Sequence, residues 1–139
     1  MSARVLAGLT TLLVVLTAAC GRSDLEKPRN VKPPRPGVPA RVADVVGIYR
    51  TTQGSLLQLR QSGEFLLIVR QGALDGRFDL RDGHLSVHTG KCARDGRYDV
   101  RVSGVQQPNK ARLEFAAVDD PCEVRRRPLT TERWVYGVS

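Results

Sequence analysis

Aromatic residues are few in this chain: one tryptophan, three tyrosines and three phenylalanines among 139 residues. Histidine is scarcer still, with His84 and His88 alone, and there are only three cysteines. The longest apolar run, Val5 to Leu16, covers about twelve residues, short of the length a membrane-spanning helix needs. No nucleophile elbow, phosphate-binding loop or HExxH pattern occurs. Asp119-Asp120 stands before Pro121, where aspartate is common because its side chain completes a turn. These gaps lead to the expectation that the chain is not an enzyme and uses no cofactor. The two histidines fall in a stretch of strand-like alternation. At about 3.3 Å per residue they would stand roughly 13 Å apart, too far to share a metal.

What is present begins at the N-terminus. One basic residue, Arg4, precedes the run VLAGLTTLLVVL, and Thr17-Ala18-Ala19-Cys20 follows. A short apolar core followed by small residues reads as a signal peptide over 1–19. The Ala18-Ala19-Cys20 end resembles the lipobox of bacterial lipoproteins, with Leu16 one place early and Thr17 where leucine is more usual. That resemblance implies lipidation of Cys20; the alternative is an ordinary signal peptide cut after Ala19. Two or more acyl chains on one cysteine give stable anchoring, each buried methylene contributing about 0.8 kcal/mol. The expected location is the cell envelope, lipid-anchored to a bacterial membrane, with the domain facing the periplasm or the exterior.

Residues 20–43 read as a basic, proline-rich tether. Gly21 to Arg41 holds five of the eight prolines and no aromatic residue. Such a stretch buries too little apolar surface to offset its ordering entropy. The tether carries +4 of the formal net charge of +8, and everything from Val42 onward only +3. Basic residues beside an anchor attract anionic head groups. Nucleic-acid binding needs positive charge clustered on the folded domain with interleaved aromatics, so no nucleic-acid partner is expected.

From 44 to 139 the pattern turns to period-two alternation. Arg77–Arg81 and His84–His88 flank Asp82-Gly83, a pair suited to a type I′ hairpin turn. That turn sets Leu80 against Leu85 and Phe78 against Val87, all on one face. Leu57–Arg60 and Glu64–Val69 flank Gln61-Ser62-Gly63, a three-residue loop ending in glycine, which sets Leu59 against Phe65 and Leu57 against Leu67. Further strands are predicted at Val46–Thr51, Gly96–Ser103 (Tyr98, Val100 and Val102 inward), Lys110–Val118 (Leu113, Phe115 and Ala117 inward) and Thr131–Gly137 (Trp134 and Tyr136 inward). Eight short strands predict an all-β, up-and-down barrel, since closure removes exposed edges. A two-sheet sandwich is the alternative. Cys92 and Cys122 remain once Cys20 is assigned to lipid, and in an oxidising compartment they pair most simply with each other. A redox role is the alternative, without a CxxC or a histidine neighbouring either cysteine in sequence. The bridge would close a loop of about thirty residues, contributing roughly 3–4 kcal/mol.

Gly47-Ile48-Tyr49 stands where lipocalin-type proteins carry Gly-x-Trp. Cys92, Asp95-Gly96-Arg97-Tyr98, Asp120-Pro121-Cys122, Arg125, Leu129 and Trp134 form a pattern similar to that of small bacterial lipocalin-like (calycin) domains, from Val46 to Tyr136. The resemblance implies a barrel with an aromatic residue near the first strand plugging one end and an arginine packed across it. Here Tyr49 takes the tryptophan's place, and Arg125, Arg126 and Arg127 compete for the arginine's.

Two functions follow as expectations. In one, the domain is an interaction or accessory module working on an envelope protein through its outer surface. Leu66 and Ile68 are then its candidate partner patch, because the strand Phe65–Val69 is apolar on both faces. In the other, implied by the resemblance, a small apolar or amphipathic ligand sits inside the barrel. The large aliphatic inward set favours the first, since eight strands enclose a space that side chains just fill. Arg125, Arg126 and Arg127 are also a candidate anion-binding run.

Overall fold

A computed structural model describes residues 39–107 and 109–137. The readings of a signal peptide, a lipidated Cys20 and most of the tether therefore lie outside the described residues. The elements run α1 (Val42–Val45), β1 (Gly47–Arg50), β2 (Leu56–Leu59), β3 (Glu64–Val69), β4 (Gly72–Arg81), β5 (His84–Thr89), β6 (Gly96–Ser103), β7 (Arg112–Asp119), α2 (Glu123–Thr131) and β8 (Trp134–Tyr136). Each strand pairs antiparallel with the next, and β8 returns to β1, giving a closed eight-stranded barrel rather than a sandwich.

Both expected hairpins form in the expected register. Asp82 and Gly83 take φ of 51° and 81°, the left-handed pair a type I′ turn needs, and Leu80 meets Leu85 while Phe78 meets Val87. Gly63 turns with φ 84°, and Leu59 meets Phe65 while Leu57 meets Leu67. Alternation then sends Leu57, Leu59, Phe65, Leu67, Leu85, Tyr98, Leu113 and Trp134 into one almost wholly buried core.

Three expectations need correction. First, β4 begins at Gly72, not Arg77. The glycine at 76 does not end the strand; it permits one, because a Cβ there would strike the His88 carbonyl of the paired strand. Second, Ala117 is exposed although it stands opposite inward-facing Tyr98, at the point where a register shift loosens the β6–β7 ladder. Val102 and Tyr136, also expected inward, are only half-buried against the core. Third, a helix, α2, occupies Glu123–Thr131, so the last strand shrinks to Trp134–Tyr136. Its buried residues are Arg125, Pro128 and Leu129. An arginine holds one inward position and a proline another, which hides the helical period from hydrophobic patterning.

The barrel has two ends. At one, α1 and the loops around 61–63, 82–83 and 104–110 gather. Gly83 N–H donates to the Ala40 carbonyl at 3.1 Å, and Gln106 Nε2 donates to the Val46 carbonyl at 2.6 Å. At the other lie the loops around 51–55, 70–71 and 90–95, covered by α2.

Candidate functional site

Among the described residues, the densest polar construction is at the α2 end. The chain leaves β7 into Asp120-Pro121-Cys122, and Cys122 is disulfide-bonded to Cys92, with Cα atoms 5.8 Å apart. The bridge fastens the start of α2 to the β5–β6 loop. Asp120 Oδ1 accepts the Cys122 amide at 2.8 Å, the turn-forming bond expected of aspartate at such a place. The carboxylate does more than that. Arg125 grips it side-on, Nε to Oδ2 at 2.7 Å and Nη2 to Oδ1 at 2.8 Å, and both side chains are completely buried.

Arg125 has five N–H donors, and each is used. Besides the carboxylate, Nη1 reaches the Val87 carbonyl and Thr89 Oγ1, both at 3.1 Å, and Nη2 reaches the Arg94 carbonyl at 2.9 Å. The Tyr98 hydroxyl donates to Asp120 Oδ2 from inside the barrel. Gly96 makes room for the pair, since a Cβ there would collide with Asp120 and with Arg125 Nε. Burial alone would raise the Asp120 carboxyl's pKa, yet hydrogen bonds from Arg125, Tyr98 and the Cys122 amide hold it below its usual range. Burial would also discharge Arg125, but the same carboxylate outweighs that and keeps the guanidinium charged. Burial, reinforced by the bond to Asp120, pushes the Tyr98 phenol above its ordinary value.

The three arginines of the 125–127 run therefore separate. Arg125 is a structural plug. Arg126 is exposed, with Nη1 donating to the Asp120 carbonyl at 3.1 Å. Arg127 is exposed beside a recess of about 430 Å³ that it shares with Arg70, Gln53 and Gln71. They do not form one anion site.

The implied contact between an arginine and the first-strand aromatic is not formed. All of Arg125's bonds are made at the α2 end. Tyr49 packs edge-to-face on Tyr136, with ring centroids 5.6 Å apart. Its hydroxyl is buried without a hydrogen-bond partner, although Gln106 is close enough to temper the rise in pKa that burial causes. Among the described residues, no ion pair takes part in plugging the α1 end.

Leu66 is half-buried and Ile68 41 % exposed on the outer wall of β3, with Leu56 opposite Ile68 on β2. His84 and His88 are also outward and are not brought together: Nδ1 of each meets a different carboxylate, Asp99 and Asp95, at 2.7 Å. Sequence reading missed the roles of Asp120, Tyr98, Thr89 and Gly96. The one signal for them was the Asp-Pro-Cys-x-x-Arg spacing, which brings the carboxylate and the guanidinium together once a turn and a helix begin between them.

No protein-family model matches this chain, and no curated protein or solved structure matches it either. On its own geometry it is a closed, eight-stranded antiparallel β-barrel, consistent with a calycin-like fold, carrying one disulfide.

Proposed function

We propose that this chain is a cell-envelope lipoprotein, lipidated at Cys20, whose barrel serves as an interaction or accessory module through its outer surface. The observation that carries this reading is the state of the interior. Trp134, Tyr98, Tyr49, Phe65 and the leucines at 57, 59, 67, 85 and 113 occupy it, each at most 2 % exposed. The α2 end is sealed by a buried ion pair whose hydrogen bonds are complete, so entry there would require exposing two matched charges. A wall with half-buried Leu56 and Leu66 and exposed Ile68 is left to meet other molecules. The envelope assignment is supported by the signal-like run, the small residues before Cys20 and a disulfide suited to an oxidising compartment.

Native mass spectrometry of the protein made in an oxidising compartment tests the filled interior. The mass of the disulfide-bonded chain alone is the expected result. A reproducible added mass lost on denaturation would replace this reading with a ligand held inside the barrel. Palmitate labelling that disappears in Cys20→Ser tests the anchor separately.

A further inference from the structure

The outer recesses of the molecule differ in charge. Between β7 and the end of α2 lies one of about 590 Å³, whose lining sets Arg101, Arg112 and Arg133 against Asp99, Glu114 and Glu132. A smaller one of about 290 Å³, over β2 to β4, sets Arg60 and Arg77 against Glu64 and Asp75. Both are balanced. The recess of about 430 Å³ at the α2 end is not, because Arg70 and Arg127 line it with Glu132 as the one carboxylate. That carboxylate is already engaged, with Oε2 accepting the Thr51 hydroxyl at 2.7 Å. Among the described residues, neither Arg70 nor Arg127 has a carboxylate partner, and both are exposed.

Three segments meet at this recess. Gln53 and Ser55 come from the β1–β2 connection, Val69, Arg70 and Gln71 from the β3–β4 hairpin, and Arg127 and Pro128 from α2. Burial sorts them into a floor of Ser55, Val69 and Pro128 and an exposed rim of Gln53, Arg70, Gln71 and Arg127. Ser55 is the telling member. It is 4 % exposed, its N–H donates to Thr51 Oγ1 and its carbonyl accepts the Thr51 N–H, both at 3.1 Å. Its hydroxyl bonds no other described residue. A hydroxyl on so buried a residue normally has a partner, and here the recess is left to supply it. The end of α2 does not oppose a negative charge with bare carbonyls. Those of Arg126 and Arg127 accept the Thr130 and Thr131 hydroxyls, and that of Pro128 accepts the Glu132 amide.

We propose that this recess binds a small polyhydroxy molecule through an oxyanion group, a carboxylate or a phosphate. Arg70 and Arg127 take the charge, and Ser55, Gln53 and Gln71 bond the hydroxyls beside it. A guanidinium fork matches the paired oxygens of either group. Amide side chains carry donors and an acceptor together, which suits neighbouring hydroxyls. The space far exceeds the ~30 Å³ of one water and falls within the roughly 300–1,000 Å³ of small-molecule sites, so it admits a sugar-sized body behind the anion. The site lies outside the filled interior. It goes beyond the interaction-module reading and depends on neither the anchor nor the core.

The test uses the chain from residue 20 onward with Cys20→Ser, which keeps every strand of the barrel and removes the lipid. An open recess exchanges its occupant, so probes are added at millimolar concentration and followed by NMR at the amides of Gln53, Ser55 and Gln71. Glucuronate and glucose 6-phosphate carry the two anionic groups on one sugar body, glucose lacks the charge, and inorganic phosphate lacks the sugar. Saturable shifts with at least one anionic sugar, weaker ones with phosphate and none with glucose are expected; the tighter anionic sugar identifies the group. Arg70→Gln and Arg127→Gln should each weaken binding roughly fivefold, the scale of an exposed ion pair, while Arg101→Gln in the balanced recess changes nothing. Ser55→Ala should weaken it severalfold and leave the melting temperature unchanged, because the hydroxyl it removes bonds nothing in the fold. Thermal melting confirms that each variant is folded. Failure of both anionic sugars to saturate these amides overturns the proposal. So does glucose binding as tightly as glucuronate, or free phosphate as tightly as glucose 6-phosphate, which would leave an adventitious ion only. An anionic sugar held as tightly by the double variant Arg70→Gln with Arg127→Gln overturns it as well. None of these variants touches Cys20 or the interior, so their failure leaves the mass-spectrometry and palmitate tests standing.

Discussion

The two ends of the barrel bury a tyrosine each and treat it in opposite ways. At the α2 end the Tyr98 hydroxyl donates to a carboxylate that is itself gripped by an arginine, braced by a backbone amide and stapled by a disulfide. At the α1 end the Tyr49 hydroxyl is equally enclosed and has no hydrogen-bond partner. The difference shows what a buried polar group contributes. A complete network ties together β5, β6, the β7–α2 turn and α2, and breaking any member strands the others. An orphan hydroxyl ties nothing, and its removal strands nothing.

Mutations should separate the ends sharply. Asp120→Ala leaves Arg125 charged and unmatched in a site with no solvent access, so unfolding in urea is expected to show a loss of about 3–5 kcal/mol. Removing the disulfide as Cys92→Ser with Cys122→Ser should cost somewhat less, roughly 3–4 kcal/mol from the loop it closes, measured the same way. Gly96→Ala should follow at about 1–3 kcal/mol, because the added methyl has to displace the ion pair. Tyr49→Phe belongs at the bottom of the series. Its melting temperature should stay level or rise slightly, since only an unsatisfied hydroxyl is lost. A large loss there would mean that Gln106 does bond the phenol, and the contrast between the ends would collapse.

Acid sharpens the same comparison. Because folding lowers the Asp120 pKa, the stability it confers is fully present above the unfolded value near 3.8. It is lost as pH falls through the folded one. Wild type should therefore lose stability progressively below about pH 4, and Asp120→Asn should lose less over the same range, starting from a lower plateau. Stability followed by circular dichroism from neutral pH downward checks this. Parallel curves would assign the acid sensitivity to other carboxylates.

How much of this was legible beforehand depended on how local the cause was. Asp82-Gly83 and Gln61-Ser62-Gly63 set their hairpins through backbone conformations that a few residues dictate, and alternation then carried the register to Leu80, Leu85, Leu59 and Phe65. The helix α2 was not legible, because its buried side includes Arg125, a residue that hydrophobic patterning counts as outside. The start of β4 was obscured by Gly72 and Gly76, glycines that read as breaks, although Gly76 serves close strand approach. Arg125, the cation of the pair, also bonds Thr89, Arg94 and Val87 from distant parts of the chain, and only the closed barrel sets these beside one another. The outward apolar pair Leu66 and Ile68 was legible in the two-faced pattern of β3.

The shortest strand also has a consequence for motion. β8 has three residues, and the seam closing the barrel consists of two facing pairs, Tyr49 with Tyr136 and Arg50 with Val135. These pairs join the first and last strands, so zipping them requires the longest loop closure in the fold, whereas the contacts between successive strands from β1 to β7 grow from nearby turns. Local opening should therefore start here, with the amides of β1 and β8 exchanging their hydrogens well before those of β3 and β4. A barrel that unlatches along one line behaves as a cuff rather than a can, and the line on which it unlatches runs through Arg50.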